Sequence, residues 1–287
     1  MRESGRKGPW WLEPLSHLIL LLAVAFALYP VLWVVSLALD GVQRPVARAI
    51  PWPESPSLDN FRAIIFARGN GGEWLFGRQL ANSILVSAAT ALTAIGIATP
   101  AAYALARFPN FVGAKGGTKA LLATQMFPGV ASAVPLYMLL DKLRLLDTRS
   151  GLVLVYATTA VPFAIFQLRG AFETIPKDLE EAAMVDGATR FQAFVKVVLP
   201  AARPALAVTA LFAFMSAWNE FILAATFLSR ESAFTLPVAL QRHVGEYDAA
   251  WGKFAAGSII VSVPVMALFY ALQKHLVGGL TSGGVKG

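Results

Sequence analysis

Long apolar blocks alternate with polar connections along most of this chain. Six stand out, at 15–39, 80–106, 119–140, 151–168, 204–228 and 253–276. Each approaches the roughly 20 residues that a helix needs to cross the hydrocarbon core of a bilayer. The pattern predicts an all-α integral membrane protein with six transmembrane helices. A single transmembrane domain would run over 15–277, between an N-terminal segment at 1–14 and a tail at 278–287. The first block follows Arg2, Arg6 and Lys7 in the manner of a signal peptide. Its apolar stretch is too long for one, and no small-x-small cleavage site follows Leu39, so it is expected to stay as a helix.

Pro30, Pro100, Pro128, Pro135, Pro162 and Pro264 fall inside these blocks. In a bundle, neighbouring helices and Ser or Thr can satisfy the carbonyls that a proline frees, so they read as kinks. The connections differ in kind. Residues 40–79 form a long proline-punctuated loop, 107–118 a basic glycine-rich one and 141–150 a polar turn. Residues 169–203 are long, amphipathic and charged, and 229–252 mix polar with aromatic side chains.

Composition supports the membrane reading. The chain is 56% hydrophobic and 14% charged, against about 25% charged residues in a soluble domain. The net charge of +7 fits loop Lys and Arg facing anionic lipid, with no nucleic acid implied. Cysteine is absent, which excludes disulfides and thiolate chemistry. His17, His243 and His275 have no paired metal-ligand spacing. With the termini on the cytoplasmic side, basic residues divide 13 inside to 11 outside. That bias is too small to orient the chain.

The most informative stretch is 176–204, PKDLEEAAMVDGATRFQAFVKVVLPAARP. Asp178 with Glu181 matches a capping box opening a short helix, and Thr189 with Gln192 repeats the signal. Gly187 stands where a helix C-cap takes a left-handed residue. Pro200 and Pro204 end the second helix. The segment therefore reads as helix, glycine turn and helix on the membrane surface. Leu179, Ala182, Ala183, Val185, Phe191, Phe194, Val195 and Val198 are too apolar for a solvated loop. On periodicity alone, a protein-docking surface and an interfacial hairpin meeting only lipid are equal readings.

The spacing resembles the EAA signature of ABC-importer permeases: Glu-Ala-Ala, three residues, Gly, nine residues, an aliphatic residue, one residue, Leu-Pro. Here these are Glu181, Ala182, Ala183, Gly187, Val197, Leu199 and Pro200, with Val197 where the family usually has Ile. Asn82-Ser83, AAYALARFP at 101–109 and MFPGVASAVPLY at 126–137 resemble its carbohydrate branch. TLPVALQRH at 235–243, WGKFAAG at 251–257 and the tail GGLTSGGVKG at 278–287 are similar to the second membrane subunit of maltose and maltodextrin importers.

The resemblance implies a type I permease bundle in the inner membrane, with both termini cytoplasmic. Its partners would be a homologous permease subunit, two ATPase subunits and an extracytoplasmic sugar-binding protein. Glu180, Glu181, Ala182, Ala183, Gly187, Leu199 and Pro200 would form the cytoplasmic coupling loop that meets an ATPase. Thr281, Gly283, Gly284 and Lys286 in the tail would touch the ATPases, and 229–252 would meet the binding protein. The cargo would be maltose, maltodextrin or trehalose. No G-x-x-x-x-G-K-[ST] motif is present, and GAKGGTK at 113–119 has the wrong order. ATP and Mg would therefore sit on the partner subunits, with no cofactor or metal on this non-catalytic chain.

Ser216, Trp218, Asn219 and Glu220 place polar groups beside aromatic faces in the fifth block. Two readings stand for them: a lining of the sugar pathway, or side chains bonding across to another helix. Two other functions compete with the importer reading. One is an ion-coupled carrier in which Glu220 titrates, against which no matched pair of broken helices is evident. The other is a non-transport protein using 169–203 as an interaction hairpin.

Overall fold

The computed structural model describes residues 12–41, 49–126, 129–245 and 250–282. Arg2, Arg6, Lys7, Pro45, Pro128, Gly283, Gly284 and Lys286 lie outside these residues. The chain forms two compact units, 1–67 with 240–260, and 68–239 with 261–287.

In the first unit, α1 (Leu12–Leu39) runs unbroken through Pro30. Its apolar side chains are exposed along nearly its whole length, Phe26 to 84%, as suits a lipid-facing or partner-facing span. A short α2 (Asp59–Ile65) lies within the predicted loop. Asn60 on α2 donates to the carbonyls of Ala38 (3.2 Å) and Asp40 (2.8 Å), closing the end of α1.

The second unit is built on three helices, α3 (Leu75–Arg107), α6 (Arg149–Thr174) and α10 (Arg203–Trp218). Between lipid tails no hydrophobic gain draws helices together, so small residues that admit close approach take over. Ala91, Ala94, Ala98 and Ala102 of α3 accordingly share a buried core with Ala160 and Ala164 of α6 and Ala213 of α10. A second core, around Val86, Leu152, Val155, Tyr156 and Phe227, lies towards the N-terminal half of α3. Pro100 and Pro162 sit within continuous helices.

Two predicted spans are not single helices. The third block divides into α4 (Ala114–Met126) and α5 (Ala133–Lys142), with a 3-10 turn at Gly129–Ser132 and a bend of 96°. The fifth stops at Trp218 and resumes as α11 (Ile222–Phe227). Four helices are each long and apolar enough to cross a membrane, and bent pairs raise that to as many as six among the described residues.

Between α6 and α10 lies the hairpin: α7 (Asp178–Val185), α8 (Arg190–Ala193), a π-helical turn at Phe194–Val198 and α9 (Leu199–Ala201). The widened turn has a local cause. Pro200 has no N–H to offer and its ring crowds the preceding turn, and Leu199 N–H reaches back five residues to Phe194 O. The chain then bends by 73° into α10. Beyond α11, α12 (Leu236–Gln241) leads towards α13 (Trp251–Ser282). The last helix runs through Pro264 and on through Gly278 and Gly279, so the first half of the predicted tail, Thr281 included, continues the helix. Each glycine costs such a helix about 1 kcal/mol, which a long preformed helix absorbs because propagation needs no new nucleus.

Candidate functional site

The hairpin end of α3 is held by one guanidinium. Arg107 Nε pairs with Glu180 Oε1, while NH1 and NH2 donate to the carbonyls of Phe172 (2.9 Å) and Ile175 (3.0 Å). The second carboxylate oxygen of Glu180 accepts from Tyr103 Oη at 2.6 Å. Both charged side chains are buried, 6% and 8% exposed. A cation is thus placed on the C-terminal carbonyls of α6 and an anion in the first turn of α7, each favoured by the local helix dipole. Around the pair, Tyr103 packs on Phe194 (4.4 Å between centroids) and edge-on to Phe172 (6.1 Å). Arg190 of α8 lies 5.0 Å over the ring of Phe108.

The glycine turn forms as expected. Gly187 has φ +90°, and its N–H bonds to Met184 O while Ala188 N–H bonds to Ala183 O. That double pattern is a Schellman cap. The capping box at Thr189 and Gln192 is also present. The one expected at Asp178 and Glu181 is not: Lys177 occupies the N-cap, without a side-chain cap bond. Asp178, Glu180 and Glu181 in the first turn stabilise α7 through its dipole instead.

The remaining hairpin residues divide by exposure. Glu181, Ala182 and Gly187 are exposed, Ala183, Leu199 and Pro200 are half-buried, and Glu180 alone of the seven is buried. Leu179, Val185, Phe191 and Val195 present an uncovered apolar surface, Val185 to 87%, whereas Ala193 and Val198 pack inward. Sequence reasoning grouped Glu180 with its neighbours and left out Tyr103 and Arg107. The available signal was their i, i+4 spacing at the end of an apolar helix, where a charge next to the apolar core asks for a partner.

At the other end of α3, neutral groups hold the loop after α11. Asn82 is fully buried; it donates to Ser232 O (3.0 Å) and Phe234 O (2.9 Å) and accepts from Arg149 Nε (2.7 Å). Ser83 Oγ accepts from Leu236 N–H at 2.7 Å, and Gln79 Nε2 donates to Glu231 O at 3.2 Å. In the turn before α6, Asp147 accepts from the N–H groups of Ser229 and Arg230 and pairs with Arg230 Nε at 2.5 Å. Burial works to raise the Asp147 pKa, but the Arg230 side chain and the two N–H donors outweigh it and hold the carboxyl below its ordinary value.

The structure separates the four pathway candidates. Glu220 accepts from Tyr156 Oη (2.7 Å) and caps α11 through Leu223 N–H (2.8 Å) and Ala224 N–H (3.0 Å). It thus satisfies the backbone donors that the break after Trp218 sets free, which nothing in hydrocarbon could. Trp218 is 1% exposed and stacks on Phe214. Ser216 and Asn219 are exposed. The third and fifth spans are both broken, where each was expected to be one membrane-spanning helix.

Residues 94–282 match the family described as binding-protein-dependent transport system inner membrane component. The trehalose transport system permease protein SugB of Mycobacterium tuberculosis is 39% identical over 268 residues, 93% of this chain and 95% of that one. The maltose/maltodextrin transport system permease protein MalG of Escherichia coli K12 is 36% identical, with 95% of each chain covered. A solved bacterial ABC transporter involved in import of the acidic polysaccharide alginate has a chain that superposes with TM-score 0.74 at 26% identity, covering 92% of this chain and 95% of its own. The chain therefore belongs to the binding-protein-dependent transport system inner membrane components, and is a multi-pass translocation subunit of an ATP-driven importer.

Proposed function

We propose that this chain imports a di- or oligosaccharide of the maltose, maltodextrin or trehalose type, and that its hairpin, 178–201, carries the force of ATP hydrolysis into the bundle. The observation that supports this most is the hairpin's build. It exposes Leu179, Val185, Phe191 and Val195 on a surface too apolar for water, while its base is bonded to α3 and α6. A hairpin that met only lipid would need no such anchorage. In this reading the hairpin faces the cytoplasm, both termini lie on that side, and ATP with Mg is hydrolysed on two separate ATPase subunits. A homologous permease subunit completes the pathway. An extracytoplasmic binding protein delivers sugar to the loop at 229–252, of which 246–249 lie outside the described residues. The tail, Thr281 with Gly283, Gly284 and Lys286, reaches the ATPases.

The test is sugar uptake and ATPase activity of the complex in proteoliposomes, offered radiolabelled maltose, maltotriose and trehalose on the binding protein. Gly187→Pro cannot hold φ +90° and lacks the N–H that bonds Met184 O. The complex should assemble and hydrolyse ATP but fail to import sugar. Normal uptake by Gly187→Pro would remove the hairpin from the coupling path. Reporter fusions at Arg62 and Gly283 should fall on opposite sides of the membrane.

A further inference from the structure

We propose that Arg107 and Glu180 are a positioning pair for transport: they fix the angle between the hairpin and α3, and the yield of sugar moved per ATP depends on that angle. The inference rests on the coupling reading of the hairpin and adds to it the element through which force enters the bundle.

The connector between α6 and α7 is only Ile175–Lys177, and at its far end the hairpin leaves through the 73° bend at Ala202. Two short connections alone would let α7 and α8 swivel under load. Packing of Phe194 and Val198 opposes this, and one guanidinium adds direction, because its three donors meet the carboxylate of α7, the last turn of α6 and the carbonyl of Ile175 at the start of the connector. The planar fork of arginine fixes direction as well as distance, which a lysine ammonium does not. Tyr103 holds the other carboxylate oxygen, so the carboxyl plane is set from two points on α3 that lie one turn apart. A force applied at Val185 or Phe191 therefore enters α3 at its C-terminal turn.

Glu180 and Glu181 are adjacent in sequence and opposite in place. Glu181 is exposed, available to a partner; Glu180 is buried and available only to Arg107 and Tyr103. Glu180 thus acts through the hairpin's orientation rather than through contact with an ATPase.

Natural absence of cysteine allows a direct test. In the complete complex, Arg107→Cys with Glu180→Cys removes the pair, and a short reversible thiol cross-linker restores the tie after assembly. Before cross-linking, sugar transported per ATP should fall at least about fivefold; afterwards it should recover, and thiol reduction should abolish it again. A residue needed only for folding would not respond to a bond made in an assembled complex. Glu180→Gln, which keeps the shape, serves as the second variant. Its amides at 178–201 should exchange hydrogen about tenfold faster than wild type, with those at 209–217 unchanged. Wild-type exchange in Glu180→Gln would overturn the proposal. So would faster exchange with an unaltered sugar-to-ATP ratio, or a cross-linked pair that stays uncoupled. In those cases a still-defective Gly187→Pro would leave the coupling role of the hairpin standing, whereas wild-type Gly187→Pro would remove both.

Discussion

At its C-terminal end α3 holds the hairpin with a buried ion pair; near its N-terminal end it holds the loop after α11 with amide and hydroxyl hydrogen bonds. The difference lies in what failure costs. Removing one member of a buried pair leaves a bare charge, whereas removing a neutral partner leaves unsatisfied dipoles. The charged anchor is confined to two side chains and their helix termini. The other is spread over the uncharged Gln79, Asn82 and Ser83 of α3, with Arg149 and the partly exposed Asp147–Arg230 pair beside them, so that the hold is shared among several contacts.

The largest effect should follow Arg107→Ala, which strands Glu180 and should cost about 3–5 kcal/mol. Denaturant unfolding of the purified complex would measure it. Arg107→Ala combined with Glu180→Ala should be less damaging than Arg107→Ala alone, and an additive loss would break the contrast drawn here. Next comes Asn82→Ala, which frees the carbonyls of Ser232 and Phe234 and removes an acceptor from Arg149, and should cost about 2–3 kcal/mol. Limited proteolysis should then cut within 229–240 several-fold faster, with the hairpin's own cleavage rate unchanged.

Gly187→Val should cost about 1–2 kcal/mol, from backbone conformation alone, since nothing lies within 4 Å of an added Cβ. Gly187→Asn should cost less, because asparagine tolerates the left-handed region. Thermal unfolding of both variants would rank them. The smallest effect concerns pH. The carboxyl of Asp147 titrates below its ordinary 3.8 in the folded protein, so its contribution is complete above that value and is lost as pH falls through the lower folded pKa. Protease protection of 229–240 should stay level from pH 8 to 5 and decline only below about 4, and Asp147→Asn should flatten the decline. Arg230 is 69% exposed, so added salt should weaken this contact more than the one at Arg107.

What could be read from the sequence was local. Four of the six apolar blocks, the left-handed Gly187 and the Thr189–Gln192 box reappear in the structure as read, and the third and fifth blocks return as broken helices. The box assigned to Asp178 failed because acidic residues in a first turn can act on the helix dipole without occupying the N-cap. The break at 219–221 stayed hidden because Glu220 resembles a pathway carboxylate until Tyr156, 64 residues away, and the start of α11 are seen to claim both oxygens. Arg107 and Glu180 are 73 residues apart. No periodicity links such positions, and only the packing of α3 against α6 brings them together.

The length of α3 has a mechanical consequence. Asn82 and Arg107 stand on one uninterrupted helix, about 37 Å apart at 1.5 Å of rise per residue. If Asn82 acts as the pivot, a tilt of about 10° swings Arg107 through about 6 Å, a little more than one helical pitch. A modest rotation at the loop end thus becomes a displacement of side-chain size beneath the hairpin. The helix stays continuous through Pro100, which removes one bond of its ladder, so the motion needs no relay of rearranging side chains as long as that turn does not flex.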